Sequence, residues 1–157
     1  MTGEIDVSEV ERWLNDLPEI VVQTVERRAN GEAEFHFVAH AERPKANVIK
    51  RERDGPLLVA ANVTFGAGVL EAIRHQQERF FGEVESVLTN APGIYSFTDG
   101  TGSSVPNDRF TTVAIRYWVY PDGATKHAVV NGVLDVLGTA SYVKDTASRI
   151  ERTPRIA

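Results

Sequence analysis

Two histidines, His36 and His40, lie four residues apart in the segment AEFHFVAHAERP, residues 33–44, and Glu42 follows two positions later. Imidazole nitrogens and carboxylates are ligands that zinc and iron accept. The segment predicts a β-strand, and side chains at i and i+4 of a strand stand roughly 13 Å apart, too far to share one ion. We therefore expect no metal here, and an outer, partly covered strand face. His36, His40 and Glu42 remain ligand candidates only in an alternative interpretation.

A Gly/Ser loop, DGTGSSVPNDR at residues 99–109, is the second segment whose composition could serve chemistry. Glycines free backbone amides to surround an anion. A P-loop, however, leads into a helix that begins with Lys-Ser/Thr, whereas this loop leads into a predicted strand. Ser103 and Ser104 also lack the G-x-S-x-G turn that presents a nucleophilic serine. The loop predicts a hairpin connection. The alternative function combines it with His36 and His40 in a small-ligand or metal-binding enzyme.

Length and composition predict one domain, residues 1–157, of the ordinary globular class. The chain has no cysteine, which excludes disulfides and thiolate metal sites. No apolar run approaches the ~20 residues of a membrane helix. The N-terminal segment MTGEIDVSEVER is acidic and does not resemble a secretory signal. We expect a cytoplasmic protein without a membrane partner.

The net charge of −5 argues against general affinity for nucleic acid, which depends on neutralising phosphates with lysine and arginine. One basic strip, RPKANVIKRER at residues 43–53, is a local exception. Glu52 and Asp54 interrupt it, and charges on an edge strand also prevent strand-to-strand aggregation. The strip therefore predicts a protected edge strand, and we expect no nucleic-acid partner.

Hydrophobic periodicity predicts the element order α-ββββ-α-ββ-α. A first helix ends before Pro18, and four strands follow, with Asn30-Gly31 as a hairpin signal between the first two. One long helix is predicted from residue 69 to about Asn90. Two further strands and a closing helix through about Arg152 complete the chain. Antiparallel strands segregated from three helices are typical of the α+β class.

The last strand, FTTVAIRYWVY at residues 110–120, is apolar on both faces. A sheet with helices on one side normally shows a polar second face. Here the face opposite the core carries aromatic residues around an arginine, which is the composition of an interface centre. We expect this protein-binding or dimer face to consist of Phe110, Arg116, Trp118 and Tyr120. Either the first helix or a partner must cover it.

Three segments carry a family resemblance: EFHFV at 34–38, RFFGEVESVL at 79–88, and IRYWVYPDGATKHAVVNGVLDVL at 115–137. In these the chain resembles the YbjN-like proteins and the type III secretion chaperones, and a group of small, mostly archaeal proteins of unknown function with that fold. The resemblance implies a type III secretion chaperone-like α+β fold, dimerisation and protein binding. It implies no catalytic residues.

The sequence therefore predicts a non-enzymatic, chaperone- or adaptor-like protein-binding domain that needs no cofactor. Its predicted partners are a second copy of itself and a protein client.

Overall fold

In this computed structural model, a six-stranded antiparallel sheet carries helices on one of its faces. The structure describes residues 5–18, 20–27, 35–40, 45–50, 55–91, 93–106 and 109–152. The strands are β1 (Val21–Arg27), β2 (Phe35–His40), β3 (Lys45–Lys50), β4 (Leu57–Thr64), β5 (Ile94–Thr98) and β6 (Thr112–Val119). The helices are α1 (Val7–Asn15), α2 (Ala67–His75), α3 (Gln77–Asn90) and α4 (Lys126–Arg152), with a short 3-10 turn at Pro121–Gly123. The strand order across the sheet is β1-β2-β3-β4-β6-β5.

The predicted α+β class and the predicted succession of the strands along the chain are confirmed, but the count of three helices is wrong, because two helices stand between β4 and β5. The helix predicted from 69 to 90 is two helices, because the backbone leaves helical geometry at Gln76, with φ −132° and ψ 43°. The Gln76 side chain donates to the carbonyl oxygen of Ile150 at 3.4 Å, near the end of α4. The two helices on either side of this break, α2 and α3, both pack against α4.

The strands alternate as β-strand geometry requires, and the alternation defines the two faces of the sheet. On β4, the side chains of Leu57, Val59, Ala61 and Val63 are buried beneath the helices, whereas Asn62 and Thr64 on the other face are exposed. The last helix, α4, packs directly on β3, β4 and β6. The helix-covered face therefore holds the hydrophobic core.

The first helix lies on this same covered face. It packs against α4, β1 and β2, and its Val10 and Leu14 are fully buried. Lys50, at the end of β3, shares the covered face with Val48 and is also fully buried. Its Nζ donates to the backbone oxygen of Ile5, just before α1, at 3.0 Å. This contact links the start of the chain to the sheet.

The longest helix, α4, has 27 residues and carries charged residues along its length. Neither it nor any other helix within the described ranges is both long enough and apolar enough to cross a bilayer.

Candidate functional site

The candidate site is the sheet face that the helices leave uncovered, called here the open face. On β6, Ile115, Tyr117 and Val119 point to the helices, so Arg116 and Trp118 point the other way. Because both faces of β6 are apolar, its sequence pattern does not say which face the helices cover. The first helix, α1, packs against α4 on the helix-covered face, so α1 does not cover Trp118.

Cross-strand pairing builds an apolar row around Trp118. Ile49 on β3 pairs with Leu58 on β4, and Leu58 pairs with Trp118 on β6. All three side chains are half-buried and lie outside the hydrophobic core that the described residues form. Ile94 of β5 pairs with Arg116, which is two residues from Trp118 on β6, and Ile94 is 56% exposed. These four residues, Ile49, Leu58, Ile94 and Trp118, are called the apolar row.

Arg116 borders the apolar row. It is exposed and pairs with Ala60 on one side and with Ile94 on the other. A guanidinium stacks on aromatic rings and binds carboxylates bidentately, and arginine is enriched at interface centres. The open face can therefore present apolar area and one oriented cation to another protein.

One of the residues predicted for this face, Phe110, lies elsewhere. Phe110 is 3% exposed and belongs to a core cluster of aromatic rings, with Phe97 at 5.0 Å and Phe81 at 5.9 Å between ring centroids. The predicted alternation extended too far, because β6 begins only at Thr112. Tyr120 is 60% exposed and directly follows the end of β6, with an extended backbone (φ −81°, ψ 154°) before the turn that begins at Pro121.

The histidine candidates are described through their backbone alone. In the register, His36 pairs with Ile49 and His40 pairs with Lys45, so the two stand four residues apart along β2. That spacing is roughly 13 Å along a strand. Glu42 lies outside the described residues. Among the described residues, no group of three histidine or carboxylate side chains could hold a metal ion.

The strand order separates the histidines from the Gly/Ser loop at 99–109. This loop joins β5 to β6, and three strands (β3, β4 and β6) lie between β2 and β5. Four strand spacings amount to roughly 19 Å. The structure does not bring His36 and His40 together with the loop in one site.

The Gly/Ser loop holds a carboxylate of its own. Asp99 accepts hydrogen bonds from the backbone nitrogen of Thr101 at 2.8 Å, from Thr101 Oγ1 at 2.6 Å and from the backbone nitrogen of Ser103 at 3.2 Å. The hydrogen bond from the Thr101 side chain, followed by the backbone bonds, lowers the pKa of Asp99. The amides that would surround an external anion are therefore occupied by Asp99.

The basic strip at 43–53 does not form one surface. Lys45 is exposed at the start of β3, whereas Lys50 is fully buried on the helix-covered face. Alternation along β3 explains the difference, because residues 45 and 50 point to opposite faces. Arg43, Arg51 and Arg53 lie outside the described residues.

Sequence reasoning missed three members of the apolar row. Ile49, Leu58 and Ile94 come from three other strands, and only the register places them beside Trp118 and Arg116. Lys50 was also missed as a core residue. The sequence pattern did indicate that Lys50 is buried, because Lys50 continues the alternation of the buried residues Ala46 and Val48.

Comparison with known proteins places the chain among proteins without an assigned activity. A family model described as "Uncharacterized conserved protein (DUF2299)" matches residues 6–146. No curated protein matches the chain. The crystal structure of an uncharacterized protein from Methanothermobacter thermautotrophicus is similar, with a TM-score of 0.69 and 14% sequence identity. The alignment covers 90% of this chain and 96% of that one, so the two share a fold.

Proposed function

Because the chain belongs to the DUF2299 family of uncharacterized conserved proteins, we propose its function from its own residues: it is a non-catalytic protein-binding domain, chaperone- or adaptor-like. It acts in the cytoplasm, and its binding surface is the open face of the sheet. A second copy of the chain occupies this face.

The observation that carries the proposal is the apolar row. A sheet covered by helices on one side normally shows a polar outer face. Here Trp118, Leu58 and Ile49 form contiguous apolar surface that no described segment covers. Contiguous apolar surface of this kind marks interaction sites.

A second copy is the occupant because a two-fold axis through the open face pairs each apolar row with its own equivalent. Closed two-fold association is the commonest way in which a chain covers such a patch. The sequence resemblance to YbjN-like proteins and type III secretion chaperones, which pair and bind other proteins, supports this choice. A client protein then binds to the dimer, and its chemistry is that of a polypeptide rather than of a small substrate.

Sedimentation or light scattering at micromolar concentration tests the proposal. We expect a mass of twice the chain's 17.3 kDa for the wild type, and a folded monomer for Trp118→Ser and for Leu58→Ser. The matched control is Leu134→Ser, because Leu134 is a 37% exposed leucine on α4, away from the open face. This control should remain dimeric.

A monomeric wild type would remove the dimer, and the open face would then have to bind a different protein. A dimer that survives Trp118→Ser and Leu58→Ser together would place the interface elsewhere. Loss of the fold in either variant is detected by circular dichroism, and the other variant then decides.

The alternative function, a small-ligand or metal-binding enzyme, is tested by elemental analysis of the purified protein. We expect no stoichiometric zinc, iron or manganese. About one such ion per chain would support the alternative function and make His36 and His40 the first candidate ligands.

A further inference from the structure

The sheet splits at one end, between β3 and β4. The ladder between these strands runs from the pair Lys50–Leu57 to the pair Asn47–Ala60. Beyond that point β3 continues to pair with β2 as far as Lys45, and β4 continues to pair with β6 as far as Thr64. The two central strands therefore part from each other while each remains anchored to its outer neighbour.

A cleft of about 330 Å³ fills this split. Its walls are Lys45 and Asn47 from β3, and Asn62, Val63 and Thr64 from β4; Ala140 and Lys144 of α4 complete it. Among the described residues, the lining contributes two ammonium groups, two carboxamides and a hydroxyl, and none of these described residues carries a carboxylate. This part of the lining is cationic in a chain whose net charge is −5.

The described residues around the two lysines of the cleft do not neutralise them. Within the described ranges, neither Lys45 nor Lys144 makes an ion pair. On α4, the neighbours of Lys144 three and four residues away are Ala140, Ser141, Ala147 and Ser148, which carry no charge. The chain has only four lysines, and two of them line this cleft from separate elements.

We propose that this cleft, the β3–β4 cleft, binds a phosphate group, either free or carried by a small molecule. Lysine ammonium groups bind phosphate as point charges. The carboxamides of Asn47 and Asn62 have N–H donors, and the Thr64 hydroxyl adds another polar contact. A phosphate supplies three or more acceptor oxygens and about two negative charges, which matches two cations better than a single carboxylate does.

The size of the cleft limits its ligand. Small-molecule sites span roughly 300–1,000 Å³, so this cleft is at the lower end of that range. It has room for a phosphate group and a small attached body, and not for a folded partner. The site lies at the end of the sheet where β3 and β4 part, between the open face and α4. Its described lining includes no residue of the apolar row, so its test is independent of the proposed dimer.

Calorimetric titration at constant ionic strength tests the cleft, with inorganic phosphate and ribose 5-phosphate as probes. We expect saturable binding that weakens about tenfold or more in Lys45→Met and in Lys144→Met, since each removes a charge-assisted contact. The matched control is Lys126→Met, because Lys126 is an exposed lysine of α4 that does not line the cleft. It should bind as the wild type does.

The two probes distinguish the sources of the phosphate. Tighter binding of ribose 5-phosphate indicates a phosphorylated metabolite, and equal binding of the two probes indicates free phosphate. The proposal is overturned if neither probe saturates in the millimolar range, or if Lys126→Met weakens binding as much as the two cleft variants. Lys45 and Lys144 are exposed and lie on different elements, so if one variant fails to fold the other still decides.

Discussion

The carboxylate of Asp99 accepts the amides that an external anion would need in the Gly/Ser loop. Two backbone nitrogens and one hydroxyl converge on its Oδ1. Such a local turn is stable because the aspartate side chain satisfies backbone donors close to it in the chain. At the residue scale, glycine-rich composition therefore identifies a turn, and the phosphate candidate lies instead in the β3–β4 cleft.

Replacing Asp99 with asparagine should remove a pH-dependent part of the stability. The folded pKa of Asp99 is lowered, so its contribution is fully present above the pKa of the unfolded chain, about 3.9, and is lost as the pH falls through the folded value. We expect the urea midpoint of Asp99→Asn to lie below that of the wild type at pH 7. The two midpoints should converge once the pH has fallen through the folded pKa of Asp99.

Asp122→Asn is the control for this measurement, because Asp122 is exposed in the turn before α4 and its carboxylate accepts no hydrogen bond within the described residues. The urea midpoint of Asp122→Asn should equal that of the wild type both at pH 7 and in acid. An Asp99→Asn deficit that is equal at pH 7 and in acid would show that the charge of Asp99 is irrelevant.

Lys50 is a second residue whose surroundings define its role. Its ammonium is fully buried, and the backbone oxygen of Ile5 is one of its contacts. We expect Lys50→Met to lower the free energy of unfolding by about 1–3 kcal/mol, because a buried carbonyl loses its donor. Hydrogen exchange should also become faster in α1, which follows Ile5.

Lys126→Met serves as the control for Lys50→Met as well. Lys126 is exposed at the start of α4, and its ion pair with Asp16, after α1, is solvent-exposed and as long as 4.0 Å, so its replacement should change the free energy of unfolding by less than about 0.5 kcal/mol. Unchanged exchange in α1 together with unchanged stability would mean that the contact between Lys50 and Ile5 contributes nothing to holding the first helix.

At the scale of elements, the approach of α4 to β6 depends on a glycine. A Cβ atom added at Gly132 would meet Tyr117 Cε1 at 2.6 Å and Cδ1 at 2.8 Å, closer than side chains tolerate. A Cβ atom at Gly138, in the same helix, would meet nothing within 4 Å. The helix therefore needs glycine at one of these positions and not at the other.

The two glycines make a matched pair for thermal or urea unfolding. Gly132→Ala should destabilise the protein by about 1–3 kcal/mol, because overpacking against Tyr117 outweighs the gain in helix propensity. Gly138→Ala should stabilise it by about 0.5–1 kcal/mol through that propensity alone. Equal effects of the two substitutions would contradict the close packing of α4 on β6.

The elements also show where local patterns stop being informative. The alternation of β4 and β6 is visible in the sequence, because one side of each strand is buried. The break between α2 and α3 is not visible, because Gln76, Gln77 and Glu78 are all good helix formers. Packing of both helices on α4 produces the break, and this is a long-range effect.

At the scale of the whole molecule, the open face has two ends of different character. The apolar row, with Trp118 and Leu58, lies toward the start of β4, whereas Asn62 and Thr64 lie toward its end beside the β3–β4 cleft. The two proposals therefore assign a different partner to each end: a protein at the apolar row, and a phosphate group at the β3–β4 cleft.

The same arrangement argues against binding to duplex nucleic acid. Within the basic strip, Lys50 is fully buried and cannot reach a nucleic-acid phosphate, and Lys45 lines the β3–β4 cleft. With a net charge of −5, we expect no binding to duplex DNA or RNA in a shift assay at about 0.15 M salt. Binding that persists there and is lost when Arg51 and Arg53 are neutralised together would contradict this prediction.

The sequence by itself determined the α+β class, the order of the strands along the chain, and the shared face of Arg116 and Trp118. These follow from periodicity, which is a local property of the chain. Only the tertiary structure decided that Phe110 is core, that α1 leaves Trp118 uncovered, and that Lys45 and Lys144 line one cleft. The reason is physical: β6 is apolar on both faces, so its pattern is compatible with helices on either side. Strand pairing and helix docking, which join distant parts of the chain, make that choice.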